Sequence, residues 1–361
     1  MTDYAAAGVD VDAGERAVAL MRESIRATQR PEVIGDIGGF AGLFDISKAR
    51  SMSRPVLATS TDGVGTKIAV ARAMDVHHTI GIDLVAMVID DLVVCGAEPL
   101  FMTDYIATGA VDPARIARIV AGIAEGCMQA GCTLIGGETA EHPGLMAPDE
   151  YDIAGAGVGI VDADAMLGPA RVQSGDAVIA MGSSGLHSNG YSLARMVLLG
   201  GNGPGLDGRV PEFSRSVGEE LLEPTRIYAR DCLELMRACD VHAFSHVTGG
   251  GIAANLARVL PESRAVDIDR STWTPQGIFT SIARIGDVDR SDMEQAFNMG
   301  IGMIAVVAPG DAEAAFDLLQ ARGVSAWQCG VVRSRALDDV GDATAKGGTG
   351  GAVMLRGKFA G

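Results

Sequence analysis

Residues 55–58, an apolar Pro-Val-Leu-Ala run, are followed at once by Thr59-Ser60-Thr61-Asp62-Gly63-Val64-Gly65-Thr66-Lys67. An apolar run that gives way to a polar, glycine-bearing turn predicts a strand that delivers functional groups to its end. Gly63 and Gly65 lack a Cβ, so they can take positive φ and let backbone N–H groups approach an anion. Asp62 is placed to hold a cation and Lys67 an oxyanion. The stretch is not a Walker loop, because Thr66 precedes Lys67 where that motif has glycine before the lysine and a hydroxyl after it. Composition bears on the lysine. Of 29 Lys and Arg residues only Lys48, Lys67, Lys346 and Lys358 are lysines, so nearly every basic position has become arginine. A compact ammonium kept in place of a wide guanidinium fork fits a tight contact.

At 361 residues the chain is long enough for two domains of roughly 150 residues each. The hydrophobic rhythm lapses into Ala, Asp, Gly and Pro over 162–175. This predicts domains over 1–168 and 169–333, with a Gly-rich tail over 334–361 that is disordered until a final strand at 352–355. A net charge of −17 and a pI near 4.7 argue against nucleic acid and anionic membrane as partners, since phosphate backbones are held by clustered Lys and Arg. A phosphorylated small molecule remains compatible, through backbone N–H groups and a divalent ion. The six cysteines form no C-x-x-C pair, so reduced thiols are expected rather than a zinc cage or a disulfide framework. No basic leader precedes an apolar segment, and no apolar run approaches ~18 residues. The expectation is a soluble, cytoplasmic protein.

Along the chain, strands, glycine loops and helices alternate in α/β fashion. A helix over 15–30 precedes Gly35-Asp36-Ile37-Gly38-Gly39-Phe40-Ala41-Gly42, which reads as a flap closing over a ligand. A helix over 80–95 puts Asp83 and Asp90 on nearly one azimuth, with Asp91 about 100° away. Acidic residues in a last turn oppose the helix macrodipole, a broken local rule that points to function. A short strand over 133–135 then delivers Gly136-Gly137-Glu138-Thr139-Ala140-Glu141, which makes Glu138 a candidate metal ligand or base. In the second half a strand over 177–181 runs into Gly182-Ser183-Ser184-Gly185-Leu186-His187-Ser188-Asn189-Gly190 and a helix, an anion-ready geometry. A strand over 241–247 delivers His246-Val247-Thr248-Gly249-Gly250-Gly251, and Asn298-Met299-Gly300 leads into another over 304–307.

Six of these motifs, from Ser60-Thr61-Asp62-Gly63-Val64-Gly65-Thr66-Lys67 through Ile80-Gly81-Ile82-Asp83, Gly136-Gly137-Glu138-Thr139, His187-Ser188-Asn189-Gly190, His246-Val247-Thr248-Gly249-Gly250-Gly251 and Phe297-Asn298-Met299-Gly300-Ile301-Gly302-Met303, stand in order in this chain. Together they closely resemble the phosphoribosylformylglycinamidine cyclo-ligase family. The resemblance implies a two-domain ATP-binding synthetase-type fold of the α/β (α+β) class. It further implies a homodimer whose N-terminal sheets join into a barrel, with a C-terminal α/β sandwich. The implied reaction is ATP-dependent closure of formylglycinamidine ribonucleotide to aminoimidazole ribonucleotide, with Mg2+ and, as a further cation, K+. By motif matching, Asp62, Asp91 and Glu138 would bind metal, and Asp62, Lys67, His187 and His246 would serve catalysis. Gly38, Gly39, Phe40, Gly63, Gly65, Thr66, Ser188, Asn189, Gly190, Thr248, Gly249, Gly250, Gly251 and Asn298 would bind nucleotide or substrate.

The chain departs from the family pattern in two places. Asp90-Asp91 stands where members usually carry Asn-Asp, and Ala110 stands where a lysine often follows Ala107-Thr108-Gly109. Relatives of the same architecture include selenophosphate synthetase, thiamine-phosphate kinase and a hydrogenase-maturation dehydratase. The absence of cysteine before Cys95, the ending in Gly361 and the presence of His246 favour the cyclo-ligase over these. The alternative from another class is a nucleotide-binding dimer without turnover.

Overall fold

The computed structural model describes residues 11–36 and 38–360. Residues 1–10, Ile37 of the flap and Gly361 lie outside the described residues. The chain divides into two compact units, one reaching Leu92 and continuing over Ala97–Ala165, the other made of Val93–Gly96 and Met166–Gly361.

In the first unit, α1 (Val11–Ala27) leads to the short antiparallel pair β1 (Val33–Ile34) and β2 (Leu43–Phe44). Then come β3 (Pro55–Gly63), α2 (Ile68–Met74), α3 (His78–Val93), β4 (Glu98–Thr108), α4 (Pro113–Ala130), β5 (Thr133–Glu141) and β6 (Tyr151–Asp162). The four long strands form one open sheet in the order β3-β6-β4-β5. β3 and β4 flank β6 antiparallel, and β5 joins β4 in parallel. Among the described residues this sheet is open, with β3 at one edge.

Glycine sets how closely the layers approach. Alternate β6 residues Gly155, Gly157 and Gly159 turn the same way, and a Cβ on Gly157 would meet Val88, Ile89 and Leu92 of α3 at 2.9–3.1 Å. A Cβ on Gly81 of α3 would lie 2.3 Å from the Ile123 nitrogen, and one on Gly122 of α4 only 1.7 Å from the His78 carbonyl oxygen. The two helices therefore meet backbone to backbone, and the sheet's glycine backbone lies directly against α3 side chains. Sharp ends frame α4. Asp112 accepts from the Ala114 and Arg115 N–H groups, Pro113 occupies the first turn, and Gly131 closes the helix at φ 81°.

In the second unit the strands are β7 (Ala177–Gly182), β8 (Val241–His246), β9 (Arg264–Asp269), β10 (Ile301–Val307), β11 (Ala326–Ser334) and β12 (Ala352–Arg356). They form a six-stranded sheet in the order β12-β9-β11-β7-β10-β8, antiparallel except for the parallel pair β12 and β9. β8 and β10 are buried along their whole length, the pattern of strands covered on both faces. The helices of this unit are α5 (Tyr191–Leu199), α6 (Val217–Leu221), α7 (Ala229–Ala238), α8 (Gly251–Arg258), α9 (Gly277–Gly286), α10 (Arg290–Ala296) and α11 (Ala312–Ala321).

Several sequence expectations are corrected. The polar residues Thr59–Gly63 belong to β3 itself, and β5 carries Gly136, Gly137 and Glu138 within the strand, because backbone pairing with β6 and β4 continues through them. Glu138 thus lies in mid-strand rather than beyond a strand end. The Gly-rich stretch 334–351 is not structureless. It follows a defined path, with the Lys346 N–H donating to the Ala254 carbonyl and the Gly351 N–H to Ala257 and Leu260.

Candidate active site

The first unit contains a cavity of about 850 Å3, within the usual range for small-molecule sites. Its walls come from α1 (Ala17, Met21, Ile25), from the flap including Gly38, Gly39 and Phe40, and from one sheet face with Thr61, Thr103, Tyr105, Glu138 and Ala156. Phe40 is fully exposed at the flap's tip. Glu138 is exposed toward this space. Strand alternation sorts the other residues. Thr61 pairs with Ala156 on the cavity side, whereas Asp62 pairs with Gly155 one step along and points to the opposite face. Asp62 is half-buried, and its Oδ1 accepts from the Gly63 N–H at 2.7 Å.

Lys67 departs most from expectation. Gly65 (φ 68°) turns the chain into a single 3-10 turn ending at Lys67. The Lys67 side chain is 0% exposed, with Nζ 2.8 Å from Asp83, itself fully buried. Its ammonium therefore enters the helix layer instead of facing an open phosphate site. Asp90 is also fully buried, while Asp91 is exposed, so the acidic edge read on α3 is divided between interior and surface. Among the described residues no three His, Cys, Asp or Glu side chains converge as a metal-binding set. Asp62, Asp91 and Glu138 do not form a resident metal cage.

Asp104, in β4, received no role from the sequence. It borders the cavity, but its side chain stands on the Asp62 face of the sheet, beside Cys127 of α4; it is 9% exposed, and burial pushes its carboxyl up to about 7. Gly137 makes room for it, since a Cβ there would lie 2.2 Å from Asp104 Oδ1. Burial, helped by contact with Cys132 and by the Asp104 charge, also raises the neighbouring Cys127 thiol. The folded protein holds the Asp104 proton up to about pH 7, whereas an unfolded chain releases it near 3.8. Between those values the folded state binds more protons, so stability falls as pH rises, by up to about 4 kcal/mol. Asp104→Asn is expected to flatten that decline in urea titrations run from pH 4 to pH 8. An unaltered slope would assign it to other groups.

In the second unit, the loop after β7, the turn before α8 and the turn before β10 are joined by hydrogen bonds. Asn298 accepts from the Ser183 hydroxyl (3.2 Å) and the Gly300 N–H (2.8 Å), and donates to the Gly185 carbonyl (2.9 Å). Asn189 Oδ1 accepts from the Gly249 N–H at 3.0 Å. His187 and Met299 hold left-handed backbone at φ 62° and 49°, a conformation that costs a non-glycine residue free energy and marks functional loops. His187 is buried, with Nε2 accepting from the Ser184 N–H at 3.2 Å. His246 ends β8, also buried. Ser188 pairs with Thr225 through their hydroxyls. A Cβ on Gly251 (φ 71°) would be 1.7 Å from the Glu294 carbonyl oxygen, so glycine is obligatory there. His187, Ser188, Asn189, Gly190, Thr248, Gly249, Gly250, Gly251 and Asn298 thus belong to one connected set of loops.

The sequence reading passed over the residues that hold these loops. Asn255 donates to the Thr248, Gly249 and Gly251 carbonyls, and Gln276 donates to the Ser183 carbonyl. The Tyr228 hydroxyl donates to the Gly182 carbonyl. Asn255, one helical turn beyond Gly251, was the detectable one, since a polar residue amid Ile252-Ala253-Ala254 and Leu256-Ala257 needs a partner when buried.

Residues 42–161 match the family described as AIR synthase related protein, N-terminal domain, and residues 173–341 match the corresponding C-terminal domain. A phosphoribosylformylglycinamidine cyclo-ligase from Anaeromyxobacter dehalogenans (strain 2CP-C) is 52% identical over 334 residues, covering 92% of this chain and 95% of the relative. The chain belongs to the phosphoribosylformylglycinamidine cyclo-ligase family. It is accordingly an ATP-dependent ligase of purine biosynthesis that acts on a small molecule. The cyclo-ligase fold is shared more widely. A thiamine-monophosphate kinase from Stenotrophomonas maltophilia K279a superposes with a TM-score of 0.66 at 20% identity, covering 95% of this chain and 96% of that one. The hydrogenase maturation protein HypE in complex with ATP superposes with a TM-score of 0.61 at 19% identity, covering 89% and 86%. No helix among the described residues is long and apolar enough to cross a membrane.

Proposed function

We propose that the cavity of the first unit takes ATP and that the loops of the second unit hold the ribonucleotide or nucleotide phosphates during cyclisation of formylglycinamidine ribonucleotide. The observation that carries this reading is the 850 Å3 cavity, walled by the glycine-rich flap and Glu138. Gly38 and Gly39 let backbone approach a polyphosphate, and Phe40 supplies a ring to cover it. Gly63, Gly65 and Thr66, which follow Thr61 and Asp62 along the chain, are proposed as further nucleotide contacts. Mg2+ arrives with ATP as a co-substrate, and one or two carboxylates with phosphate oxygens suffice to hold it. Glu138 offers a carboxylate for that task inside the cavity, whereas Asp62 and Asp91, on the α3 side of the sheet, would serve it only where the triphosphate passes the end of β3.

A formamide oxygen is a poor leaving group. Transfer of the γ-phosphoryl group from ATP to that oxygen gives an iminophosphate and ADP. The amidine nitrogen then attacks the formyl carbon, the C–O bond breaks, and phosphate leaves with the former formyl oxygen. Such a reaction needs alignment and neutralised charge more than a protein nucleophile. Asn298, Asn189 and the N–H groups of Gly249, Gly250 and Gly251 provide alignment, while His187 and His246 are the groups able to move a proton. Lys67 supports the loop from beneath, through Asp83, instead of touching phosphate. With substrate carrying 18O in the formyl group, the label is expected in the released phosphate; label retained in the nucleotide product would exclude this route.

The working form is proposed to be a homodimer in the cytoplasm. Support comes from β3, an edge strand whose Leu57 is 62% exposed. An open strand edge bearing apolar surface is suited to pairing with a second copy. Residues 1–168 would then serve dimerisation and ATP binding, and 169–333 the substrate.

A further inference from the structure

The last strand and the residues after it lie beyond the family match, which ends at residue 341, yet they reach the base of the loops just described. β12 pairs in parallel with β9 at the sheet edge. Past it, the Ala360 N–H donates to the Trp273 carbonyl (3.1 Å), and the Thr274 hydroxyl donates to the Ala360 carbonyl (2.9 Å). The half-buried Phe359 ring meets Trp273 edge to face, centroids 5.2 Å apart at 73°. Arg270, 6% exposed, donates to the Leu355 and Gly357 carbonyls through Nη1 and to both Glu294 oxygens through Nε (2.6 Å) and Nη2 (2.7 Å).

Each anchor continues toward a candidate loop. Trp273 Nε1–H donates to the Met299 carbonyl at 2.9 Å, where Met299 holds its left-handed φ of 49°. Gly300, the next residue, accepts from the Ser183 N–H at 2.9 Å and donates to Asn298. Glu294, fixed by Arg270, lies on α10, whose Gln295 carbonyl accepts from the Gly250 N–H at 3.1 Å. A strained turn persists only where its surroundings over-determine it, and here the surroundings include the chain's own tail.

We propose that residues 352–360 form a clamp that positions the Asn298–Met299–Gly300 turn for the reaction, acting through Trp273 and Arg270. This rests on the reading that the second unit's loops hold substrate or nucleotide. Trp273 and Phe359 are positioning residues, acting through the Met299 carbonyl. Misplacement of a binding group by a fraction of an ångström lowers kcat; loss of a surface ring that only stabilised the fold does not.

The test uses the full chain carrying Phe359→Ala, Phe359→Tyr or Trp273→Phe, assayed for phosphate release with saturating ATP and amidine substrate, well below each melting temperature. Phe359→Ala and Trp273→Phe are expected to lower kcat by about tenfold. Phe359→Tyr, which keeps the ring, is expected to restore the native rate. Hydrogen exchange over 298–302 should quicken in Phe359→Ala and return to normal in Phe359→Tyr. Native kcat in both damaging variants, or a fall in melting temperature alone, overturns the clamp. Asn298→Ala separates the two readings. If it retains native kinetics, the substrate-holding role of these loops fails; if it loses activity while the other two do not, only the clamp fails. Should Trp273→Phe not fold, Phe359→Ala decides.

Discussion

Lys67→Met is expected to lower the stability of the protein by about 3–5 kcal/mol, because it leaves the Asp83 carboxylate buried without its cation. Both side chains are 0% exposed and lie 2.8 Å apart, so neither solvent nor salt can take the partner's place. The measurement is the urea midpoint of the single variants and of Lys67→Met combined with Asp83→Leu. The double variant should recover much of the loss, since replacing both members of a buried pair with apolar groups is far less damaging than removing one. A single variant that unfolds with the wild type would show that the pair carries no stability. Activity is expected to fall along with stability, because the turn from Gly65 to Lys67 leads directly into α2.

Asp62→Asn is expected to do the reverse, removing turnover while leaving the fold. Asparagine keeps the oxygen that accepts from the Gly63 N–H at 2.7 Å, so the end of β3 retains its local bond. What it loses is the negative charge for the ATP-borne cation. Removal of one such electrostatic contact costs about 10²–10³ in rate, against a stability change within about 0.5 kcal/mol. Steady-state phosphate release and a melting curve on the same preparation check both halves. Near-native turnover would take Asp62 out of the reaction.

These two residues illustrate what the sequence could and could not convey. Asp62, Gly63, Gly65 and Lys67 were legible as a special stretch, because glycine and charge crowd the end of an apolar run. The side of the sheet that each side chain would face was not. Extending β3 to Gly63 sets the alternation, sending Thr61 to the cavity and Asp62 to the other face. The retention of lysine among so many arginines was a true signal with another cause. A buried carboxylate 16 residues away needs a compact point charge. Asp83 and Asp90 were correctly placed on one side of α3, but only their complete burial, with Asp83 paired to Lys67, reveals that this side is interior.

The loops of the second unit were legible as a group, since His187, Asn189, Thr248 and Asn298 each follow or precede a strand. Their supports were not, because Trp273, Gln276 and Tyr228 are distant in sequence and carry no motif. The Gly-rich stretch 334–351 was misread as structureless for a related reason. Gly350 and Gly351 are required by close contact with the Ala257 and Arg264 carbonyls, and low complexity conceals such a requirement. Asp104 escaped notice because a lone carboxylate in an alternating strand looks like a solvated one.

The glycines at 155, 157 and 159 leave the first unit's sheet with two faces of unequal freedom. Toward α3 there is no room for a side chain, so drift at those positions is closed. Toward the cavity, Thr61, Thr103, Tyr105, Ala154 and Ala156 can change without disturbing the helices behind them. Chains that keep this scaffold but adopt new ligands would therefore rewrite the cavity-facing side, with the reverse side held constant as the mould from which each is cast.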